Sequence, residues 1–498
     1  MFIFCAVRIL SCALFLGTTA AQAATYYVDV NTGKDENTGA SIEEAWQHLP
    51  GTVDVTGTGW TVLRDGDSVV VKGGTLNKVQ VAVTSDYYQG EARYHSIQIL
   101  GGHLATPAWG RGRPVFDGEI ERTFGFHLGG NKEVQGVTLD GFEIQNLKPG
   151  GVGDGFDPDN GNSCVVVGGN KPATYCSVRR SWLHHSLRNA NDRGHGIETG
   201  GGDHLLVEFN TVGPTIGTKG IEIYHTDWSI LRNNYVYNVG DHGIVITGNR
   251  CDVYNNIVEM APPYVHEHVK AMKVYVEGSD IWNNVFFQRD LLPLEPGANR
   301  AQGVVFVGVK KARFYHNTIY GFGRTEAGGE NGVGLVVGSE RKGSEDIDLQ
   351  NNLVCDSENG EGGIQLFLQD GNKNTILRWN DFFYRSPDEK VVTLNGAFYT
   401  VAEFQPGLIV NGGAFEGNVQ AAPGFRMGAM PNGLDGRCGL SSQYFHLTAE
   451  SPEAVRATNN PLRGGGECGC RPEEDKFSRD MLGRPRAAWS MGAFEWSE

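Results

Sequence analysis

From Val207 onward the chain repeats one short pattern: an apolar residue, a polar one, an asparagine or small residue, then an apolar pair. It reads Val207-Glu208-Phe209-Asn210-Thr211-Val212, then Leu231-Arg232-Asn233-Asn234-Tyr235-Val236, then Val253-Tyr254-Asn255-Asn256-Ile257-Val258. Further copies are Ile281-Trp282-Asn283-Asn284-Val285-Phe286, Phe314-Tyr315-His316-Asn317-Thr318-Ile319 and Leu349-Gln350-Asn351-Asn352-Leu353-Val354, with Arg378-Trp379-Asn380-Asp381-Phe382 as the last. The recurring asparagine stands between two short apolar strands, where a polar residue tolerant of left-handed backbone suits a sharp turn. Stacked turns of this kind predict an asparagine ladder, each amide bonded to the amides above and below it.

A second strand precedes each ladder position: Gly196-Ile197-Glu198-Thr199, Gly220-Ile221-Glu222-Ile223-Tyr224, Gly243-Ile244-Val245-Ile246-Thr247 and Ala271-Met272-Lys273-Val274-Tyr275. Later copies are Gly303-Val304-Val305-Phe306-Val307, Gly334-Leu335-Val336-Val337 and Gly363-Ile364-Gln365-Leu366-Phe367. Alternation turns Ile221, Ile223, Ile244, Ile246, Met272 and Val274 inward and their neighbours outward. Three short strands per turn, with insertions at one corner, define an all-β parallel β-helix coil. The longer coils gain their length before the Gly-Ile strand, over 258–269, 288–301 and 321–331.

The ends resemble a known group. Tyr26-Tyr27-Val28-Asp29-Val30-Asn31-Thr32-Gly33, with Asp35, Asn37 and Gly39 after it, is similar to the first strand and loop of secreted right-handed parallel β-helix proteins related to pectate lyases and chondroitinase B. Phe445-His446-Leu447-Thr448, Ser451-Pro452 and Gly483-Arg484-Pro485-Arg486 leading to Gly492-Ala493-Phe494-Glu495-Trp496 resemble their closing segment. The resemblance implies a single-stranded right-handed parallel β-helix over residues 24–380, a capping segment over 381–498, and a substrate cleft along the outward face of the first strand stack. The calcium-binding Glu-x-Glu of chondroitinase B-like enzymes is only half present, since Glu222 takes the place of its second acid and Gly220 that of its first. The following turn reads His225-Thr226-Asp227 where a base lysine would stand, and Ile246 falls where an arginine would stand. Asp157-Pro158-Asp159-Asn160 is a superficial likeness to the Asp-Pro-His-Asp of mannuronan epimerases.

Composition narrows the class. Seventy glycines against seven methionines, with many Val, Ile, Asn and Asp residues, favour strands and tight turns. Residues 1–23, with Arg8, the apolar run Ile9–Leu16 and Ala21-Gln22-Ala23, read as a cleaved signal peptide, so the mature chain is expected outside the cytoplasm. No other run approaches the roughly 20 apolar residues of a membrane span. The formal net charge of -16 argues against nucleic acid or anionic membranes as partners. A monomer acting on an acidic polysaccharide is expected. Of the nine cysteines, Cys5 and Cys12 fall in the signal peptide, leaving an odd seven. Cys164 with Cys176, and Cys438 with Cys468 or Cys470, are the expected disulfides by proximity, with zinc at Cys468-Gly469-Cys470 the alternative.

Aligned strands place Glu198, Glu222, Val245, Lys273, Val305 and Gln365 in one outward column, and Gly200, Tyr224, Thr247, Tyr275, Val307 and Phe367 in a second. The corner before them carries His195, Lys219, His242, Lys270 and Gln302. Coils stack about 4.8 Å apart, so the ionisable groups converge on the middle coils. A uronate lyase must neutralise a carboxylate, remove the C5 proton and protonate the leaving oxygen. Lys219, His242, Lys270 and Lys273 offer cations or a base, Tyr224 or Tyr275 a proton donor, and Glu222 belongs to the same catalytic set. His195, Glu198, His225, Tyr275, Arg188 and Arg193 are the expected substrate contacts. Calcium is the candidate cofactor, at Asp154, Asp157, Asp159 and Asn160, whose hard oxygens suit it. A glycoside hydrolase using Glu198 and Glu222, and a non-catalytic carbohydrate-binding or surface protein, are the alternatives.

Overall fold

The computed structural model describes residues 23–148 except 58, then 162–187, 194–260, 268–288, 300–323, 332–339, 342–358, 362–404 and 412–423, with two short strands beyond, Phe425–Arg426 and His446–Leu447. The expected signal peptide, the expected calcium loop, Arg188, Arg193, Cys438, Cys468 and Cys470 lie outside these residues.

Among the described residues three long sheets run side by side from Thr25 to Glu416. The second begins with Thr25–Val28, passes through strands such as Leu206–Glu208 and Ile230–Arg232, and ends at Ala414–Glu416. After the ladder turn the chain enters the third sheet, from Leu76–Asn77 to Asp381–Phe383. It then crosses to the first, from Val81–Val83 through Lys219–Ile223 and His242–Ile246 to Val392–Leu394. Neighbours within each sheet are parallel and one coil apart, as in Ile221↔Ile244 and Leu231↔Val253. Among the described strands of these sheets, only Val392–Leu394 and Ala397–Tyr399 pair antiparallel, at the end of the first sheet. The architecture is the right-handed parallel β-helix.

The interior is one continuous apolar column, holding Ile197, Ile221, Ile244 and Met272 from the first sheet with Leu231 and Val253 from the second and Val236 and Val258 from the third. Burying this stack supplies the main stabilisation, at roughly 25 cal/mol per Å² of apolar surface. Asparagine amides close one corner: Asn210 donates to Asn234 Oδ1, Asn234 to Asn256 and Asn256 to Asn284, each at 3.0 Å. The chain goes on through Asn317, Asn352 and Asn380 to Asn418, one rung beyond the last sequence copy. The left-handed turn belongs to the residue before each ladder asparagine: Asn233, Asn255 and Asn283 have φ of 56°, 55° and 54°. One residue turns the chain, and the next satisfies the buried groups.

The second sheet's outward charges pair among themselves. Arg179 meets Glu208 at 2.9 Å, Arg232 donates to Glu208 at 2.7 Å, and Arg180 donates to Asp140 at 2.6 Å. Tyr254 and Trp282 then stack at 4.2 Å. Cross-strand pairs of this kind hold register.

Cys164 and Cys176 are free thiols, a correction to the expected disulfide. Cys164 stands near the start of the strand Ser163–Thr174 and Cys176 just past its end. Cys164 faces the third sheet, with Sγ 3.6 Å from Ile144 O, while Cys176 contacts Thr174 O. Burial pushes the Cys176 thiol up to about 12, so it stays protonated and unreactive. Among the described residues no helix is long and apolar enough to cross a membrane.

Candidate active site

The site begins with a break in strand alternation. Partners across the first sheet run Lys219↔His242, Ile221↔Ile244 and Glu222↔Val245, skipping Gly220. Gly220 turns inward: a Cβ there would stand 2.4 Å from Val236 Cγ1 and 2.6 Å from Gly243 O. Ile221 is inward as well. Two consecutive inward residues bring Lys219 and Glu222, three apart, onto one outer face. Gly196 and Gly243 repeat the break, each pressed against a third-sheet valine, and Ala271 follows in register.

Two outward columns result. The corner column starts at Ser163↔His195, continues in register to Lys219, and then runs Lys219↔His242↔Lys270↔Gln302↔Val333↔Ile364. The second runs Val166↔Glu198↔Glu222↔Val245↔Lys273↔Val305↔Val336↔Phe367. Phe367 therefore takes the place expected for Gln365. Gln365 is buried two residues earlier in register, donating to Ser357 O at 2.8 Å. Its place is opposite Gly334, in the inward column of Gly220, Gly243 and Gly303, so with two consecutive inward positions in the strand a two-residue slip carries it from the outer face to the interior. Downstream the outer face turns apolar, with Val305, Val333, Val336 and Ile364 packing together against Tyr275 and Phe367.

The ionisable groups occupy the coils between. Lys219 Nζ donates to Glu222 Oε1 at 2.6 Å. Ser163 Oγ donates to Glu198 Oε2 at 2.7 Å, and His195 Nδ1 stands 3.2 Å from that oxygen and 3.7 Å from Glu222 Oε2. His195 is 2 % exposed, and neither ring nitrogen has an aligned hydrogen bond despite these distances. Asp241 Oδ2 lies 2.5 Å from His242 Nδ1, again off the N–H direction, and His242 Nε2 also has no hydrogen-bond partner.

Burial pushes the His242 imidazolium below the usual histidine range; Lys270 and Lys273 push the same way, against the pull of Asp241. Burial alone raises the Asp241 carboxyl, but His242, Lys270 and Lys219 outweigh it and hold it below its ordinary value. Lys270 is buried beside His242 in the corner column, and Lys273 Nζ lies 4.8 Å above the Tyr275 ring.

Of the expected residues, Lys219, Glu222, His242, Lys270, Lys273, His195, Glu198 and Tyr275 share this outer face. Tyr224 and His225 follow on the turn side, where His225 has φ of 48° and their rings meet at 4.1 Å. The Tyr224 ring is exposed. Ser163 and Asp241 escaped the sequence reading, although each stands one step from a residue it named: Ser163 one coil from His195, and Asp241 next to His242. Calcium at Asp154, Asp157, Asp159 and Asn160 concerns residues outside the described ones. On the strand itself Gly220 supplies no acid where a calcium-binding pair would need one.

No protein-family model and no curated protein sequence matches the chain. Solved structures do. The pectate lyase Pel9A is 14 % identical, with 95 % of this chain and 96 % of that one covered and a TM-score of 0.48. A rhamnogalacturonan lyase is 14 % identical over 80 % of this chain and 87 % of that one, with a TM-score of 0.42. The periplasmic alginate epimerase AlgG is 11 % identical over 73 % of each chain, with a TM-score of 0.40. These likenesses are of fold, and the chemistry rests on the side chains.

Proposed function

We propose that the chain is an exported enzyme that cleaves a uronate-containing polysaccharide by β-elimination along the outer face of the first sheet. The observation that carries this is the corner column, in which His242 sits between Lys219 and Lys270 with its imidazolium disfavoured by burial and by neighbouring cations. A neutral imidazole is what a general base needs. With Asp241 against Nδ1, Nε2 is the nitrogen left to take the C5 proton. Lys270 and Lys273, one coil on, receive the C6 carboxylate, and neutralising that charge stabilises the carbanion formed as the C5–H bond breaks. The exposed Tyr224 hydroxyl protonates the leaving glycosidic oxygen. Glu198, Lys219 and Glu222 flank this base, and the apolar run from Val305 onward bounds it on the other side.

A hydrolase is the second reading, favoured by one observation: Glu198 and Glu222 each bring a carboxylate oxygen within 4.8 Å of the other, near the short separation of retaining glycosidases, about 5 Å. Against it, Lys219 is ion-paired with Glu222, whereas a hydrolase needs one of the two carboxyls protonated. Incubation with pectate, alginate, glucuronan and glycosaminoglycans separates the readings. β-elimination yields an unsaturated uronate that absorbs in the ultraviolet. Hydrolysis yields new reducing ends without it, and retention without either product marks a binding protein.

A further inference from the structure

We propose that His195, Glu198 and Glu222 form a binding site for a divalent transition-metal ion, independently of whether the protein is a lyase. One ligand atom from each lies within 4.8 Å of the other two. His195 Nδ1 is 3.2 Å from Glu198 Oε2 and 3.7 Å from Glu222 Oε2. A tetrahedral ion bound at about 2.0–2.2 Å keeps its ligands roughly 3.4 Å apart, a spacing those two distances bracket.

The second observation is the histidine itself. Its ring is buried, both nitrogens lack an aligned hydrogen bond, and Nδ1 is turned into the gap between the two carboxylates. Buried polar groups are nearly always satisfied, so an unpartnered imidazole here points to a ligand. Ser163 orients Glu198 by its hydroxyl, as the outer-shell partner of a metal-binding acid does. Lys219 engages only Oε1 of Glu222, so its charge competes with a cation while Oε2 stays facing His195. An imidazole nitrogen with two carboxylate oxygens suits zinc or manganese, whereas calcium takes oxygen ligands. Three protein ligands leave a coordination position open beside Lys219, where an anionic sugar would complete it.

The test is metal uptake by the purified full chain, stripped with chelator and titrated calorimetrically with Zn²⁺, Mn²⁺ and Ca²⁺, with metal content measured after dialysis. One equivalent of Zn²⁺ or Mn²⁺ per chain is expected, with Ca²⁺ weaker. His195→Ala should abolish uptake, and Ser163→Ala should weaken it by roughly tenfold as an outer-shell partner. Lys219→Met removes a competing ammonium and should tighten binding by roughly tenfold, the scale of one neighbouring charge. That gain cannot come from misfolding. The proposal is overturned by an absence of stoichiometric uptake, by uptake that His195→Ala leaves intact, by preference for Ca²⁺, or by weaker binding in Lys219→Met. Product absorbance is read separately, so metal uptake without elimination would sink the lyase reading alone, and elimination without uptake would sink this one alone.

Discussion

Lys219 donates to Glu222 Oε1 at 2.6 Å across a strand whose alternation would place them on opposite faces, because Gly220 and Ile221 both turn inward between them. This contact joins the corner column to the second outward column. The chemistry of the face therefore depends on a residue without a side chain.

Replacing Gly220 with alanine should disturb both stability and activity. The added methyl would meet Val236 Cγ1 at 2.4 Å and the Gly243 carbonyl at 2.6 Å, and a carbonyl in a sheet ladder has little room to move. A cost of about 1–3 kcal/mol is expected, as for other overpacked interiors. It would appear as a lower urea midpoint, with elimination activity reduced at temperatures where the variant remains folded.

The titration of His242 is expected to be displaced in opposite directions by its two kinds of neighbour. Burial sets its pKa below the ordinary value of about 6.5, so activity that needs the neutral ring should persist to below that pH before falling. Lys270→Met and Lys273→Met remove cations that disfavour the imidazolium and should move the ring titration, followed by NMR, to higher pH. Asp241→Asn removes the one favouring it and should move the titration lower. Equal shifts in all three would mean that the charges do not govern this histidine. For stability, the unfolded ring takes up its proton at higher pH than the folded one. Stability contributed by the neutral ring is therefore present above about 6.5 and lost as pH falls toward the folded value.

An interior rung of the ladder should matter more than its small size implies. Asn256 donates to Leu231 O at 3.0 Å and to Asn284 Oδ1 at 3.0 Å, and its Oδ1 accepts from the Asn234 amide and backbone N–H. Asn256→Ala strands these partners in the interior. A loss of about 2–4 kcal/mol is expected from several unmade hydrogen bonds at ~1 kcal/mol each plus desolvation. Asn418→Ala, at the ladder's end, should cost less, and thermal melts of the pair compare them directly.

Asp381 is a buried carboxyl whose Oδ1 accepts the Ala421 N–H at 3.0 Å while Oδ2 has no partner. Burial raises its pKa well above the ordinary value, so the folded protein holds its proton where the unfolded chain has lost it. Its contribution to stability is thus complete at acid pH and declines as pH rises above the unfolded carboxyl's value of about 4. Asp381→Asn removes the ionisation, so it should be more stable at neutral pH relative to acid pH than the wild type and flatten that dependence. Urea unfolding at two pH values measures both.

The β-helix was legible because the periodicity that builds it repeats once per coil: the ladder asparagines, the glycine before each first-sheet strand and the alternating Ile, Val and Leu residues are sequence-local signals. Gln365 is not legible as an inward residue because its strand lacks the glycine at that position: Gln365 itself fills the place of Gly303 and Gly334, and Gly363 stands two residues ahead of it. Cys164 and Cys176 are near in sequence, but they lie at opposite ends of the strand Ser163–Thr174 and both are free, so nearness along the chain does not predict a disulfide. Lys219, His242 and Lys270 were legible as a column because they begin successive strands. Asp241 and Ser163 were not, since a half-buried acid just before a strand and a serine one coil from His195 carry no repeat of their own. The left-handed backbone of Asn233, Asn255 and Asn283, one residue before each rung, shows that the paired asparagines divide two tasks that the sequence pattern had merged.

The most direct measurement is the ultraviolet absorbance of products from acidic polysaccharides incubated with the protein and with His242→Ala and Lys270→Met. The account predicts an unsaturated product on at least one uronate polymer, lost in His242→Ala and strongly reduced in Lys270→Met while both variants keep the wild-type melting profile. Reducing ends released without that absorbance, or elimination undiminished in His242→Ala, would contradict it.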